Sequence, residues 1–162
     1  MHIRQSREED LEAIIKIQRL APEIAQWTAA DYADLAADPL GLVLVAEVDS
    51  ISSPALAGFA AFHHVADEAE LRNIAVDPDY RGRGLGRELV AEGRRRLLAL
   101  GVRRIFLEVR ASNIPAQRLY LSARFRLHSR RRNYYRDPPE DALVLTLDLA
   151  ATPEVSAPDR NP

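Results

Sequence analysis

Two spacings of apolar residues alternate along the chain, and together they predict its elements. A short strand at "HIRQ" leads to residues 8–20, where Leu11, Ile14, Ile15 and Ile17 give part of an apolar helical face. Ser6 with Glu9 resembles a capping box for that helix. "TAADYADLAAD" predicts a second helix, with Thr28 as its cap and Asp31 at the fourth position. "GLVLVAEV" and "ALAGFAAFHHV" then read as buried strands separated by the turn "DSISSP", and "AELRNIAV" completes an antiparallel meander that Pro78 ends. Leu85, Leu89, Val90, Leu97 and Leu98 predict a helix from about Leu85 to Leu100, with Gly101 as its stop.

The second half continues in the same manner. "RRIFLEVR" has the nearly continuous apolar middle of a strand covered on both faces. "SNIPAQRLYLSAR" is a helix with Ser112 or Asn113 as cap and Pro115 in its first turn. Two strands, near 125–134 and 142–149, are joined by "RDPPED". The order β-α-α-β-β-β-α-β-α-β-β predicts one mixed α/β sheet, with a glycine-rich crossover in its middle. Residues 1–150 read as a single domain, and the proline-rich polar tail 151–162 as disordered.

That crossover begins with "DPDYRGRGLGRELV", which places Gly82, Gly84 and Gly86 among Arg81, Arg83 and Arg87. Glycine lets backbone approach a ligand closely, and a helix N-terminus offers free N–H groups and partial positive charge to phosphate. Charge is distributed accordingly. Residues 1–80 hold five basic and fifteen acidic side chains, for −10, whereas residues 81–162 hold seventeen and nine, for +8. Arg94–Arg96 are assigned to a solvated helix face.

Composition narrows the chemistry. With no cysteine, disulfides and thiol nucleophiles are excluded. Adjacent His63 and His64 would point to opposite faces of a strand, so no metal is expected. No apolar run reaches the roughly 18 residues of a membrane span, and "MHIRQSREEDLEAI" lacks a signal-peptide core, so a cytoplasmic protein without membrane contact is expected. The loop lacks the Walker lysine. It also has Arg87 where a dinucleotide fingerprint begun at Gly82 needs glycine.

The pattern Arg81-Gly82-Arg83-Gly84-Leu85-Gly86 instead resembles the acetyl-CoA pyrophosphate loop of the GNAT N-acetyltransferases. "LRNIAVDPDYRGRGLGREL", "IFLEVRASNIPAQRLY" and "RRRNYY" followed by "DALVL" are similar to the bacterial ribosomal-protein-alanine N-acetyltransferases over roughly residues 69–149. The N-terminal third matches mainly in its order of elements and in Trp27. The resemblance implies the GNAT fold, an α/β (α+β) architecture with a mixed, mostly antiparallel sheet of about seven strands and about four helices on both faces. One position departs from it. Arg124 stands where relatives carry a glycine, in a turn expected to need the left-handed conformation, at a cost of about 1 kcal/mol.

The resemblance also implies roles. Arg81 to Arg87 would hold the diphosphate of acetyl-CoA, and Ile74, Ala75 and Val76 would lie beside its pantetheine arm. A backbone N–H near Val76 could polarise the thioester, and Asn113 would add a hydrogen bond to the cofactor besides capping its helix. Glu108 would be the base for the acceptor amine, its alternative being a salt bridge to Arg110 or another arginine. Tyr120 would protonate the leaving thiolate, its alternative being a packing residue. Tyr134 and Tyr135, expected between the sixth and seventh strands, would contact the acceptor peptide; the alternative is a partly buried edge strand. "RRRNYY" also suits nucleic acid, but the resemblance favours the peptide. The expected reaction is direct acetyl transfer to the α-amine of a protein N-terminus, a ribosomal protein being one candidate. A small-molecule amine, a lysine, and a non-catalytic coenzyme-binding or ribosome-associated module are the rivals.

Overall fold

In the computed structural model, which describes residues 1–49 and 54–149, the strands are β1 (His2–Gln5), β2 (Gly41–Val48), β3 (Ala55–Val65), β4 (Glu68–Val76), β5 (Arg104–Arg110), β6 (Arg126–Arg136) and β7 (Pro139–Asp148). The helices are α1 (Leu11–Arg19), α2 (Ala29–Ala37), α3 (Leu85–Ala99) and α4 (Ile114–Ser122). Part of the turn "DSISSP" and the whole tail 151–162 lie outside the described residues. The strands form one sheet in the order β1-β2-β3-β4-β5-β7-β6, and β4–β5 is the parallel pair among antiparallel ones.

Successive strand residues face opposite sides, and the sequence uses both. Leu42, Leu44 and Ala46 of β2 pack towards α3, while Val43 and Val45 pack against α1 and α2. The core is thus two layers, one on each side of the sheet. Close approach of α3 is possible because Gly93 has no side chain: a Cβ there would sit 2.4 Å from the ring of buried Phe62.

A bulge in β4 changes which residues face which layer. Phe62 pairs with Leu71 but Ala61 pairs with Asn73, leaving Arg72 as the extra residue. An inserted residue inverts the alternation beyond it. Leu71 and Ile74 therefore both face α3, and Asn73 and Ala75 face α1 and α2.

Several local expectations hold. The Thr28 hydroxyl accepts from Asp31 N at 3.2 Å, and the Asp31 carboxylate accepts from Thr28 N at 2.7 Å. Asn113 caps α4 by accepting from Ala116 N at 3.2 Å, and Gly101 follows α3 at φ +86°. Arg124 has φ +70°, the left-handed conformation its turn was expected to require.

Other expectations are corrected. Ser6 and Glu9 do not form the first cap. Asp10 accepts from Arg7 N at 2.6 Å and from Arg4 at 2.7 Å, so the chain enters through a 3-10 turn over Glu8–Asp10 before α1 begins. The tertiary arginine, absent from any local pattern, selects that carboxylate. β5 is not covered on both faces. Ile105, Leu107 and Val109 are buried, but Phe106, Glu108 and Arg110 are only half-buried. β6 and β7 are longer than expected and meet at a tight turn, which places Tyr134 and Tyr135 within β6 rather than between the strands.

Candidate active site

The site begins where β4 and β5 part. They pair only through Glu68–Arg104, Ala69–Ile105 and Glu70–Phe106. Beyond these, Leu71–Val76 and Leu107–Arg110 are held on their outer sides by β3 and β7. A wedge therefore opens at the carboxyl ends of the two parallel strands, where open sheets place ligands. It forms part of a cavity of about 1030 Å³ that every site residue expected from the sequence lines: Ile74, Ala75, Val76, Arg81 through Arg87, Glu108, Asn113, Tyr120, Tyr134 and Tyr135.

One half of the cavity is built by the glycine loop. Gly82 and Gly84 adopt φ +75° and +83°, and a Cβ on either would meet nothing within 4 Å. Conformation, rather than space, is why glycine is needed there. Gly84 is the N-cap of α3 and no side chain caps that terminus, so its first amides remain open to a ligand. Arg81 Nε donates to Val76 O at 3.0 Å, and Arg83 donates to Asp79 O at 3.1 Å while lying 5.1 Å from the Tyr80 ring centroid. These bonds anchor the cations along the loop without neutralising them. Open amides, cationic side chains and a clear approach fit a diphosphate.

The other half lies on the α1–α2 side. Glu108, two residues beyond the last β4–β5 pair, forms an ion pair with Arg131 of β6 at 3.3 Å. Arg110 is not its partner. That guanidinium contacts Glu140 at 3.5 Å and stacks 4.1 Å from the Tyr135 ring centroid. A hydrogen bond to Glu108 holds the Tyr134 phenol above its usual pKa, with burial adding to the effect. Burial raises that of Tyr135, and the Glu108 charge adds to it. The two tyrosine rings meet edge to face at 5.2 Å. Tyr120 reaches the cavity from α4; it is 7% exposed, packs 5.8 Å from the Phe125 ring, and is pushed well above the ordinary phenol value by burial and then by Tyr135. Such a phenol stays protonated at neutral pH.

Sequence reading missed the roof over this half. Residues Ala21–Ala25 line the cavity, fastened by a buried polar network. Asn73 Nδ2 donates to Ala25 O at 2.9 Å and to the Tyr32 hydroxyl at 2.8 Å, and that hydroxyl donates to Gln18 Oε1 at 2.6 Å. Gln18 also exchanges two bonds with the Trp27 backbone, at 2.8 and 3.0 Å. Arg72, the bulged residue, and Glu70 line the same wall 3.2 Å apart. The one available signal was a lone glutamine and a lone asparagine inside apolar runs. Among the described residues no cluster of His, Asp or Glu is placed to hold a metal, and no helix is long and apolar enough to cross a membrane.

A wedge between parallel strands, an uncapped helix behind a glycine loop and a carboxylate at the strand end define an acyl-coenzyme A site. Comparison with known proteins agrees: residues 9–125 match the acetyltransferase (GNAT) family model. A Bacillus subtilis (strain 168) relative provisionally named ribosomal protein bS18-alanine N-acetyltransferase is 36% identical over 148 residues, 91% of this chain and 95% of that protein. The Escherichia coli (strain K12) ribosomal protein bS18-alanine N-acetyltransferase is 47% identical over 97 residues, 59% of this chain and 66% of that one. The crystal structure of the Escherichia coli ribosomal-protein-S18-alanine N-acetyltransferase superposes with TM-score 0.78 at 35% identity, covering 96% of this chain and 98% of that one.

The chain belongs to the GNAT family. It is an acetyl-CoA-dependent N-acetyltransferase.

Proposed function

We propose that the acceptor is the α-amine of a protein N-terminus, and specifically a ribosomal protein of the bS18 type with alanine first. The names of the relatives support that choice. The observation that carries it is the wedge between β4 and β5, which joins the glycine loop to an open wall carrying Glu108, Tyr134 and Tyr135. An extended peptide end fits that wall better than a closed pocket would.

Acetyl-CoA, when bound, supplies an activated acyl group. The open amides at the start of α3, with Arg81, Arg83 and Arg87, hold its diphosphate. The free edge of β4 at Ile74, Ala75 and Val76 pairs with its extended arm in the manner of an added strand. Asn113, beside the loop, adds a hydrogen bond. A backbone N–H near Val76 polarises the thioester carbonyl.

An α-amine has an ordinary pKa of about 7.7–8.0 and is mostly protonated at neutral pH. Glu108 accepts a proton from it, directly or through water. The freed nitrogen bonds to the carbonyl carbon, the carbon–sulfur bond breaks, and the Tyr120 hydroxyl donates its proton to the departing thiolate. No covalent bond to the enzyme forms. Tyr134 and Tyr135 orient the peptide end, and Glu108 is held between the Tyr134 hydroxyl and Arg131.

The test is acetylation of a peptide panel, including the first residues of bS18, read by mass spectrometry. Product blocked at the α-amine supports the reading. Product only on lysine, or only on small amines, refutes it.

A further inference from the structure

Arg124 keeps a left-handed backbone that glycine would adopt without strain, and strained positions cluster where a side chain has work to do. Its side chain lines a second cavity, about 410 Å³, between the outer face of α3 and the end of α4. Arg87, Arg94 and Arg95 form the helical wall of that cavity. Spacings of seven and eight residues place them on one stripe of α3, about 10 Å long at 1.5 Å per residue. Arg95 pairs with Glu92 at 2.7 Å, whereas Arg87, Arg94 and Arg124 have no carboxylate partner among the described residues. Arg94 is therefore not part of an ordinary solvated face: it is half-buried in this groove. Arg87 and Ser122 line both cavities, so the groove continues the coenzyme site.

We propose that this groove binds the 3′-phosphate at the adenosine end of coenzyme A, and that Arg124 is a binding residue for it. The inference rests on the placement of the diphosphate at the glycine loop. From there the acyl-bearing arm enters the wedge between β4 and β5. The nucleotide half must leave on the opposite side, past Arg87 in the first turn of α3. A phosphate monoester is a dianion near neutral pH, and beyond Arg87, which the diphosphate engages, it meets the uncompensated guanidinium groups of Arg94 and Arg124, with the planar, forked geometry that phosphate favours. Arg124 reaches the groove from the turn after α4, across from the α3 stripe, so the phosphate is gripped from two sides.

Calorimetric titration of the full chain with coenzyme A and with 3′-dephospho-coenzyme A tests this without reference to turnover. The wild-type protein should bind coenzyme A about tenfold tighter or more, and the preference should narrow as salt is raised, because it is electrostatic. Arg124→Gly fits the backbone, so folding is preserved, and Arg94→Gln leaves the turn untouched. Each should weaken coenzyme A several-fold and leave dephospho-coenzyme A unchanged. Equal binding of both ligands by the wild type, or equal weakening of both in the variants, overturns the proposal. Binding of neither by folded wild-type protein overturns the placement of the diphosphate as well, and so separates the two failures.

Discussion

Asn73→Leu probes the fastening of the α1–α2 connection. The substitution keeps the branched outline of the side chain, with methyl groups somewhat bulkier than the amide's oxygen and nitrogen, but removes the donor of two bonds, to Ala25 O at 2.9 Å and to the Tyr32 hydroxyl at 2.8 Å. An orphaned buried acceptor costs about 1–3 kcal/mol. Tyr32 still donates to Gln18, so the principal orphan is the Ala25 carbonyl, and about 2 kcal/mol is expected in total. At about 2–4 °C per kcal/mol for a domain of this size, Tm should fall by about 4–8 °C. The functional effect should be one-sided. If about 1 kcal/mol of the loss falls on the docked position of residues 21–25, apparent peptide affinity drops by up to about fivefold, the full factor being reached where the undocked form already predominates. The glycine loop is across the cavity and untouched, so acetyl-CoA affinity should hold. Differential scanning calorimetry reads the first quantity, and KM for the peptide against KM for acetyl-CoA reads the second. A thermal loss with both KM values unchanged, or with both rising together, would show that Asn73 is merely structural.

Three further changes follow from the site and its surroundings. Glu108→Gln should lower kcat/KM by about a hundredfold near pH 6.5 and far less near pH 9, because an already neutral amine needs no base; a deficit independent of pH would refute the role. Tyr120→Phe removes only the proton donor, so kcat should fall at least tenfold while calorimetric affinity for coenzyme A stays within about twofold. A collapse of affinity would make Tyr120 a packing residue. Asp10 concerns stability. Burial alone would raise its pKa, but Arg4 and the Arg7 N–H hold it below the usual value. A depressed carboxylate stabilises the fold above its unfolded value of about 4 and loses that contribution as pH falls through its folded value. Asp10→Asn should therefore lose less stability than the wild type between about pH 5 and about pH 3, as read by urea unfolding.

What the sequence revealed was local. The glycine loop was legible because its left-handed turns and open helix start are set by residues within a few positions of one another. Thr28 with Asp31, and Asn113, were legible because a cap is closed by its own neighbours. The failures arose at a distance. Ser6 with Glu9 had the right spacing, yet Arg4 drew Asp10 into the role, and no window of residues contains that competition. A salt bridge from Glu108 to Arg110 or another arginine was open in the sequence, but which arginine was not legible there: it is Arg131, brought alongside by the pairing of β6 with β7 and β7 with β5. The bulge at Arg72 left no trace in the apolar pattern, although it decides that Asn73 faces the α1–α2 connection. Strand register is a property of two chains of residues at once, which is why periodicity in either one did not disclose it.

Charge segregation in the chain becomes intelligible once the register is known. The acidic half of the sequence supplies α1, α2 and the strands up to β4, and its Glu23 and Glu70 line the wall beneath which an ammonium group would arrive. The basic half begins at the loop where the diphosphate would sit, and supplies Arg81, Arg83, Arg87 and the groove beyond. β4 ends at the junction of these two halves, and β5 starts only after α3 has crossed over. The parallel pair of the sheet, the sole one among the described residues, is therefore also the seam between its negative and positive parts. Three residue pairs hold that seam and the rest of it stands open, an opening through which, on the proposed function, an anion and a cation would approach from opposite faces of one sheet and meet at Glu108. Had β4 and β5 been joined by a hairpin, their ladder would have closed the gap and left no helix N-terminus behind it. The crossover thus creates both the binding charge and the opening through which it acts.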